Sequence, residues 1–390
     1  MALSSAQNRQ QQACAQPLAL WLVPVPELGG VARHVLDVAA RGLPGYRLAV
    51  LAPRGALTKQ LQELGVKVVE AAFGTQAGFV RSCWSLHRAI RQLQPAVIHS
   101  HLAYADFVAV SVHTLHRLRA VGKRQGQLAQ LVTTEHGIAG SGSIYQGSWL
   151  KAELRALAHR LRLRLTDQKI AVSQSTARQM QRRWGARGVE VIYNGVDVAA
   201  VQNRVAAQEQ GRAGQQAGPR VLSLARLAPE KGLMHLLEAF ACLRQDYYPQ
   251  ARLEFAGSGP LLAALQKRVE ALGLAEAVTF SGFVDAAAAM ARSDILVQLS
   301  AWENCSYTLL DAKAAGLAVL ASRVGGNPEI LTDAELLAGP GQLPAEEAAV
   351  TAARRIAERY GQVQQGQQDF QWPSIARMNQ KIADVYVKGG

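Results

Sequence analysis

The stretch LALWLVPVPELGGVARHVLDVAARGLPGYRLAVLA, residues 18–52, decides the fold class. It starts with an uncharged apolar run of strand length, passes a glycine pair, continues at helical spacing and ends in a second apolar run. Parallel strands buried on both faces are apolar throughout, and helices connect them. The stretch therefore predicts a strand, a tight turn, a helix and a parallel strand.

The same alternation continues along the chain. Further strand-like runs are VKVVE, AVIHS, LAQLVTTE, QKIAVS and VEVIYN, and then RVLSLA, ARLEFAG, AVTFSG, DILVQLS and LAVLAS. Between the two sets, residues 204–219 (RVAAQEQGRAGQQAGP) are poor in bulky apolar side chains, which predicts a linker or mobile loop. The 390 residues, 49% of them hydrophobic, suffice for two cores. We predict two doubly wound α/β domains, residues 1–197 and 198–372, and a helix opened by Pro373.

Several classes of protein are disfavoured by what the sequence lacks. Its four cysteines form no CxxC pair, so neither a zinc site nor a disulfide framework is expected, and a reducing, cytoplasmic compartment fits. G-x-G-x-x-G and G-x-x-x-x-G-K-[ST] are both missing, which weighs against a dinucleotide dehydrogenase and a P-loop enzyme. No D-x-D pair for a divalent metal occurs. Residues 1–16 do not resemble a secretory signal and no window is apolar enough to span a membrane, so we expect only peripheral membrane contact.

The positive charge is concentrated in one half of the chain. Residues 1–200 hold 24 of the 42 Lys and Arg but only 10 of the 29 Asp and Glu, and the rest is nearly balanced. This polarity predicts an anionic partner for the first half: nucleic acid, phospholipid or a phosphorylated acceptor. A cationic surface that serves solubility alone is the alternative.

Two loops could bind phosphate. In ELGGVARHV, Gly29 and Gly30 lie between the first strand and its helix, where backbone N–H groups can approach an anion. In LARLAPEKGL, Arg226 and Lys231 follow the first strand of the second domain and could balance one diphosphate without a metal. The alternatives are a tight turn without ligand and a solvated charged turn.

Two further segments could bind a sugar nucleotide. Glu303 and Asp311 flank a predicted helix start, so that one could bond sugar hydroxyls and the other ribose, while N–H groups near Ser306, Tyr307 and Thr308 meet the ligand. His136 follows the strand LAQLVTTE and so lies at a carboxyl end, where open α/β sheets bind ligands. Helix capping by the acids and a structural histidine are the alternatives.

Taken together, ELGGVARHV, TTEHG, VIYNGVD, LARLAPEKG, AGSGP, SGFVD and the Glu303 region resemble one family in one order. They look like the retaining glycosyltransferases of family 4 (group 1), which have the GT-B fold: two Rossmann-like domains facing each other across a cleft. The resemblance spans nearly the whole chain. It implies a nucleoside diphosphate sugar as co-substrate, no cofactor, no metal, and a closing helix, residues 373–390, that crosses back onto the first domain.

The resemblance also implies residue roles. Arg226 and Lys231 would hold the donor diphosphate, His136 would bond the donor sugar, and Glu303 matches the first acid of a two-acid signature that contacts the sugar. Asp311 stands where the family usually has glutamate for the ribose, and the residues between the acids differ from the usual Gly-Phe-Gly. The remaining implied contacts line the phosphate and the nucleotide: Gly29, Gly30, Gly257, Gly259, Phe283 and Val284.

We therefore predict a metal-independent, retaining hexosyltransferase that acts at the cytoplasmic face of the membrane on a lipid-linked or phosphorylated glycan, as in polysaccharide or lipopolysaccharide synthesis. A sugar-nucleotide epimerase of the same fold and a binding-only relative remain alternatives. A nucleic-acid binder is disfavoured, because interleaved surface aromatics are not evident.

The segment 150–165 bears on the acceptor. Leucines 150, 154, 157, 161 and 165 recur at helical spacing, and basic residues 151, 155, 160, 162 and 164 occupy much of the remaining circumference. Such a helix fits an anionic membrane surface. The alternative is a helix whose leucines face the core and whose basic side chains all remain outside.

Overall fold

The chain folds into two compact units. The computed structural model describes residues 16–120, 128–138, 149–208, 218–339, 341–363 and 370–388. Unit 1 comprises Met1–Gly195 and Ile375–Gly390, and unit 2 comprises Val196–Ser374. Within the described ranges, no helix has the length and apolar character needed to cross a membrane.

Unit 1 contains a seven-stranded parallel sheet in the order β3-β2-β1-β4-β5-β6-β7. Its strands are β1 Leu18–Leu22, β2 Arg47–Ala52, β3 Lys67–Glu70, β4 Val97–His101, β5 Gln130–Glu135, β6 Gln168–Ala171 and β7 Val189–Val191. Its helices up to β7 are α1 Gly30–Arg41, α2 Ala56–Glu63, α3 Phe79–Leu93, α4 Ala103–Ala120, α5 Trp149–Arg164 and α6 Gln174–Trp184. This is the doubly wound arrangement that the sequence predicts.

Strand β1 shows why the sequence predicts a parallel sheet. Its alternate residues Ala19 and Trp21 lie in one core cluster, with helix α1, and Leu18, Leu20 and Leu22 lie in another, with helices α3 and α4. Both faces of the strand are thus buried, so every position is apolar.

Unit 2 contains a six-stranded parallel sheet in the order β10-β9-β8-β11-β12-β13. Its strands are β8 Arg220–Leu224, β9 Arg252–Ala256, β10 Val278–Gly282, β11 Ile295–Gln298, β12 Ala318–Ser322 and β13 Leu336–Leu337. Its helices are α7 Val198–Ala206, α8 Leu233–Asp246, α9 Leu262–Ala271, α10 Ala286–Ala291, α11 Tyr307–Ala314, α12 Asn327–Ile330 and α13 Ala345–Val363, with 3-10 turns at Pro229–Lys231 and Asp333–Glu335. All the strands predicted from the sequence are present, and β13 is an addition.

The linker was predicted to begin too early. Residues 204–206 belong to α7, where Val201 and Val205 are buried. Most of the remaining predicted linker lies outside the described residues.

The last helix, α14 Ile375–Val387, belongs to unit 1 and begins two residues after Pro373. Its apolar residues pack in the same core cluster as Trp21. Trp21 Nε1 donates to the Tyr386 hydroxyl at 2.9 Å, and Asn379 Nδ2 donates to the carbonyl of Gly42 at 2.7 Å. Helix α14 is therefore held on β1 and α1 by both apolar packing and buried hydrogen bonds.

Helix α5 corrects two expectations. Leu154, Leu157 and Leu161 are 59%, 58% and 57% exposed, so the alternative in which the leucines face the core is wrong for these three. Arg162, expected on the outside, is buried and paired with Asp106 on α4 and Glu135 at the end of β5. The other basic residues with described side chains are exposed: Arg155, Arg160 and Arg164. Leu150 and Lys151 lie outside the described side chains.

Helix α3 presents exposed apolar and aromatic side chains on unit 1. Trp84 is 60% exposed and Val80 is 80% exposed. The Arg88 guanidinium carbon lies 4.6 Å from the centre of the Trp84 ring, a cation–π contact.

Candidate active site

In unit 2, the loop that follows β8 and the loop that follows β11 cross in close backbone contact. Gly232 has φ of 63°, and a Cβ there would lie 2.0 Å from the carbonyl oxygen of Leu299. The Ala301 N–H donates to the carbonyl of Glu230 at 2.8 Å. A third loop approaches at Gly325, where a Cβ would lie 1.6 Å from the carbonyl oxygen of Glu303. Only glycine fits such contacts, so these backbones fix where Lys231 and Glu303 lie.

The crossing brings together two residues that the sequence singles out. Lys231 Nζ lies 2.5 Å from Glu303 Oε1, and Ser300 Oγ donates to the same oxygen at 2.8 Å. Both charged side chains are largely buried, at 23% and 12% exposure. A partly buried ion pair is screened less than a surface pair, so each charge strongly orients the other. The pair presents one cation and one acceptor at the carboxyl ends of β8 and β11.

Arg226 is held separately, by a salt bridge with Glu230 one turn along the loop. Its side chain is 67% exposed and so is open to a ligand. Behind it, the AGSGP loop packs on residues 225–227: Cβ atoms at Gly257 and Gly259 would lie 2.0 Å and 2.4 Å from the carbonyl oxygens of Ala225 and Leu227. These glycines therefore support the loop that carries Arg226.

The start of α11 tests whether the two acids cap the helix. The N-cap is Ser306, whose Oγ accepts from the Leu309 N–H at 3.4 Å, and the first turn contains no acidic residue. Asp311 is a buried residue within the helix. Capping by Glu303 or Asp311 is therefore wrong as an explanation of their spacing.

The other residues predicted around the nucleotide lie at the same edge of the unit 2 sheet. Thr308 Oγ1 donates to the carbonyl of Leu224 at 3.5 Å, which ties α11 to the end of β8. Tyr307 is the first residue of α11. Phe283 and Val284 follow β10, and Phe283 is 83% exposed. Helix α11, the Arg226 loop and Phe283 thus all follow carboxyl ends of strands, where such sheets bind ligands.

In unit 1, His136 belongs to a buried histidine cluster. His136 Nε2 and His101 Nδ1 share a hydrogen bond of 2.8 Å, and His34 Nδ1 donates to Asn194 Oδ1 at 3.2 Å. Burial lowers the pKa of His34 to about 4. Burial and, secondarily, the neighbouring imidazoles lower the pKa of His101 and His136 well below the usual value. The cluster is neutral near pH 7, and its rings can exchange hydrogen bonds with a ligand without adding charge.

His101 and His34 were missed as site residues. The sequence held a signal for both. His101 is the last residue of strand β4, a carboxyl end like the one that His136 follows in β5, and His34 is in the helix that follows the glycine pair. In the described part of the chain, the Nε2 atoms of His34 and His101 are buried without a hydrogen-bond partner. Such nitrogens are costly unless a ligand or water satisfies them.

His34, His101 and His136 are of a residue type that binds metals, and one nitrogen of each lies within 4.8 Å of the others. Zinc at about 2.0–2.1 Å from its ligands would separate two tetrahedral nitrogens by about 3.4 Å. His101 Nδ1 and His136 Nε2 are closer, at 2.8 Å, because they bond each other. A metal would have to break this bond, and we assign none.

Gly29 and Gly30 begin α1. Gly29 is the N-cap with extended backbone. Apart from chain neighbours and the helix's own backbone, no atom of the described residues lies within 4 Å of a Cβ built at either glycine. The first turn has no acidic residue and no side-chain cap. The open space leaves the backbone N–H groups of this helix end accessible to an anion.

Two models of known protein families match the chain, and their ranges correspond to its two units. Residues 28–200 match the family model "Glycosyltransferase Family 4", and residues 208–359 match "Glycosyl transferases group 1". The phosphatidyl-myo-inositol mannosyltransferase of Mycobacterium tuberculosis is 29% identical over 320 residues, 79% of this chain and 78% of that protein. A GDP-mannose-dependent phosphatidylinositol monomannoside mannosyltransferase of Mycolicibacterium smegmatis is 34% identical over 125 residues, 30% of this chain and 32% of that protein.

Solved structures agree on the fold. The Anabaena protein HepE in complex with UDP-glucose has a TM-score of 0.72 at 20% identity, over 95% of this chain and 100% of that one. Sucrose-phosphate synthase from Thermosynechococcus elongatus has a TM-score of 0.66 at 19% identity, over 96% and 98%. With the two parallel sheets and the motif order, these matches confirm the resemblance and the fold class. The chain belongs to the group 1, family 4 glycosyltransferases and has the GT-B fold.

Proposed function

We propose that this glycosyltransferase moves a sugar from a nucleoside diphosphate sugar to a lipid-linked or phosphorylated acceptor, with retention of anomeric configuration and without a metal. The Lys231–Glu303 pair carries the proposal. A donor diphosphate can replace the carboxylate as the partner of Lys231, and Glu303 then accepts hydrogen bonds from sugar hydroxyls. Lys231 thus exchanges one anion for another, and Glu303 keeps hydrogen-bond donors, from the sugar and from Ser300, in place of the cation.

The chemistry needs stabilisation of the leaving group. The bond between the anomeric carbon and the phosphate oxygen breaks, and the acceptor oxygen bonds that carbon on the same face. The acceptor's proton passes to a donor phosphate oxygen. Lys231 and the exposed Arg226 supply two positive charges to the departing diphosphate, a role that divalent metals fill elsewhere. For His136 we retain the role implied by the family, a hydrogen bond to the sugar.

The acceptor proposal rests on unit 1. The three exposed leucines of α5, with Arg155 and Arg160 beside them, form a surface of the kind that binds at an anionic membrane. Val80 and Trp84 on α3 add exposed apolar and aromatic area in the same unit. The M. tuberculosis relative is named for phosphatidyl-myo-inositol, which supports a lipid acceptor. We propose peripheral association with the cytoplasmic face of the membrane.

Two alternative functions predict different outcomes of an assay. A sugar-nucleotide epimerase of the same fold would convert the donor without any acceptor. A binding-only relative, suggested by Asn304, Cys305 and Ser306 between the acids and by aspartate at 311, would bind nucleotide and release no product.

One experiment separates these outcomes. Thermal shift with UDP, GDP and ADP identifies the base, since a ligand at 100 times its Kd adds about 2.7 kcal/mol. Its sugar nucleotides are then incubated with phosphatidylinositol in detergent micelles, with and without EDTA. We expect an acceptor-dependent, EDTA-insensitive product whose anomeric configuration by NMR is that of the donor. An inverted product, a product without acceptor, or loss of activity with EDTA would each contradict a stated part of the proposal.

A further inference from the structure

Unit 1 contains a cavity that the proposed reaction does not use. It has a volume of about 520 Å³, and its lining residues include Arg160, Arg164, Lys169, Trp184, Gly185 and Arg187. Four of these residues are cationic and none is acidic. Such a lining is suited to an anion.

The cavity lies at the opposite edge of the sheet from His136. Arg160 and Arg164 are at the end of α5, which leads into β6, and Arg187 is in the turn that leads into β7. The lining thus gathers at the amino ends of β6 and β7, whereas His136 follows the carboxyl end of β5. It is therefore a separate site within unit 1.

None of the four cations forms a salt bridge within the described part of the chain. Asp167, the acid nearest in sequence to Arg164 and Lys169, is already bound: Arg117 Nη2 donates to it at 2.9 Å and the Leu131 N–H at 2.8 Å. Glu190, three residues after Arg187, pairs with Lys388 at 3.5 Å. Burial lowers the pKa of Lys169, and Asp167 only partly opposes this. A cation in the last turn of a helix, such as Arg164 in α5, is stabilised by the helix dipole. The dipole does not explain the presence of Lys169 in strand β6 or of Arg187 in a loop.

Side chains of the cavity wall are held by contacts with their neighbours. Trp184 stacks on His159 with ring centres 4.2 Å apart and planes at 6°. Arg162, fixed by Asp106 and Glu135, lies 5.1 Å from the Trp184 ring centre. Gly185, with φ of 64°, ends α6 and turns the chain toward Arg187. A cavity preformed in this way loses little freedom on binding an anion.

We propose that this cavity binds the phosphorylated headgroup of an anionic membrane lipid. Leu161 lies between Arg160 and Arg164 in sequence and is exposed, as is Leu157 one turn earlier. The acyl chains of a lipid whose headgroup occupies the cavity would therefore lie beside the apolar surface of α5. Because a free phosphate has no acyl chains, this apolar surface favours a lipid as the ligand. The proposal extends the membrane contact and does not depend on sugar transfer.

The test is co-sedimentation of the full chain with phosphatidylcholine vesicles that contain phosphatidic acid. Lys169→Gln/Arg187→Gln should lower the partition coefficient by about 10-fold or more, since each charge near anionic lipid contributes strongly. The control, Lys67→Gln/Lys381→Gln, removes the same charge from exposed positions elsewhere on unit 1 and should lower it less than 3-fold. Equal losses would show general attraction and overturn the proposal.

Further measurements separate other ligands and failed folding. Tight binding of inorganic pyrophosphate or of a single-stranded oligonucleotide, abolished by the cavity variant while vesicle binding is unchanged, would also overturn it. If the double variant has a lowered Tm, Arg160→Gln/Arg164→Gln, at exposed positions, replaces it with the same expected loss. Nucleoside diphosphate binding should be unchanged in every variant, which distinguishes failure here from failure of the proposed transferase function.

Discussion

Replacing Arg162 with methionine should destabilise unit 1 far more than replacing any exposed arginine of the same helix. The Arg162 side chain has no exposed area, and its Nη2 donates to Glu135 Oε2 at 2.7 Å. It also pairs with Asp106, which accepts from Thr133 Oγ1 at 2.7 Å. Burial raises the pKa of Glu135 to about 8, and Arg162 is the cation paired with both carboxyl groups. Arg162→Met leaves the buried Asp106 carboxylate without its cation.

The expected loss follows from the cost of such a charge. Breaking a buried pair by removing one partner costs about 3–5 kcal/mol. A domain of this size loses about 2–4 °C of Tm for each kcal/mol, so the Tm of unit 1 should fall by about 6–20 °C. Arg164→Met, two residues along and exposed, should cost within about 0.5 kcal/mol.

The assay combines thermal melting of the full chain with hydrogen exchange of peptides from β5 and α5. Adding Asp106→Asn to Arg162→Met should recover at least half of the loss, because it removes the unpaired charge. A Tm for Arg162→Met within 2 °C of wild type, taken as the measuring error of the melt (roughly 0.5–1 kcal/mol), or no recovery by Asp106→Asn, would refute this reasoning.

Three further outcomes are expected. Unit 1 should lose stability as pH falls below 6.5. Burial lowers the pKa of His34 to about 4 and the pKa of His99, His101 and His136 well below the usual value, so these four histidines bind protons in the unfolded chain before they do in the fold. Each contributes up to about 1.4 kcal/mol per pH unit, and Glu135, whose pKa burial raises, offsets one proton. Equal urea midpoints at pH 7 and pH 5 would contradict this. Gly325→Ala should lower both Tm and turnover, because its Cβ would meet the carbonyl oxygen of Glu303; an unchanged Tm would show that the loops can separate. Glu303→Gln should reduce transfer much more than nucleoside diphosphate affinity, and Asp311→Ala the reverse; equal effects on affinity would end this division of roles.

The fold was predictable because it depends on local pattern. Buried parallel strands are apolar throughout, so each run of strand length marked a strand of a sheet. Strand β13 was not predicted, because its two residues, Leu336–Leu337, are too few to form a recognisable pattern. Lys231 and Glu303 could be singled out because each follows a strand that was itself predicted: Lys231 as a cation in a loop, and Glu303 as an acid before a predicted helix start.

The rest depended on contacts between distant parts of the chain. Arg162 was expected outside because its position on the helix allows it, and its partners Asp106 and Glu135 are 56 and 27 residues away. Gly232 and Gly325 fix the crossing loops through backbone contacts that have no periodicity. The exposure of Leu157 and its neighbours was open for the same reason: which face a helix buries depends on what packs against it.

The most direct test of the account is sugar-transfer turnover in Lys231→Met, with Lys267→Met, an exposed lysine on α9, as the matched control. Charge on the leaving diphosphate is greatest in the transition state, so loss of the Lys231 cation should lower turnover by about 100-fold or more. Lys267→Met should match wild type. Turnover of Lys231→Met within about 3-fold of wild type, roughly the 0.7 kcal/mol that an exposed charge can contribute, would contradict the claim that the Lys231–Glu303 site stabilises the departing diphosphate.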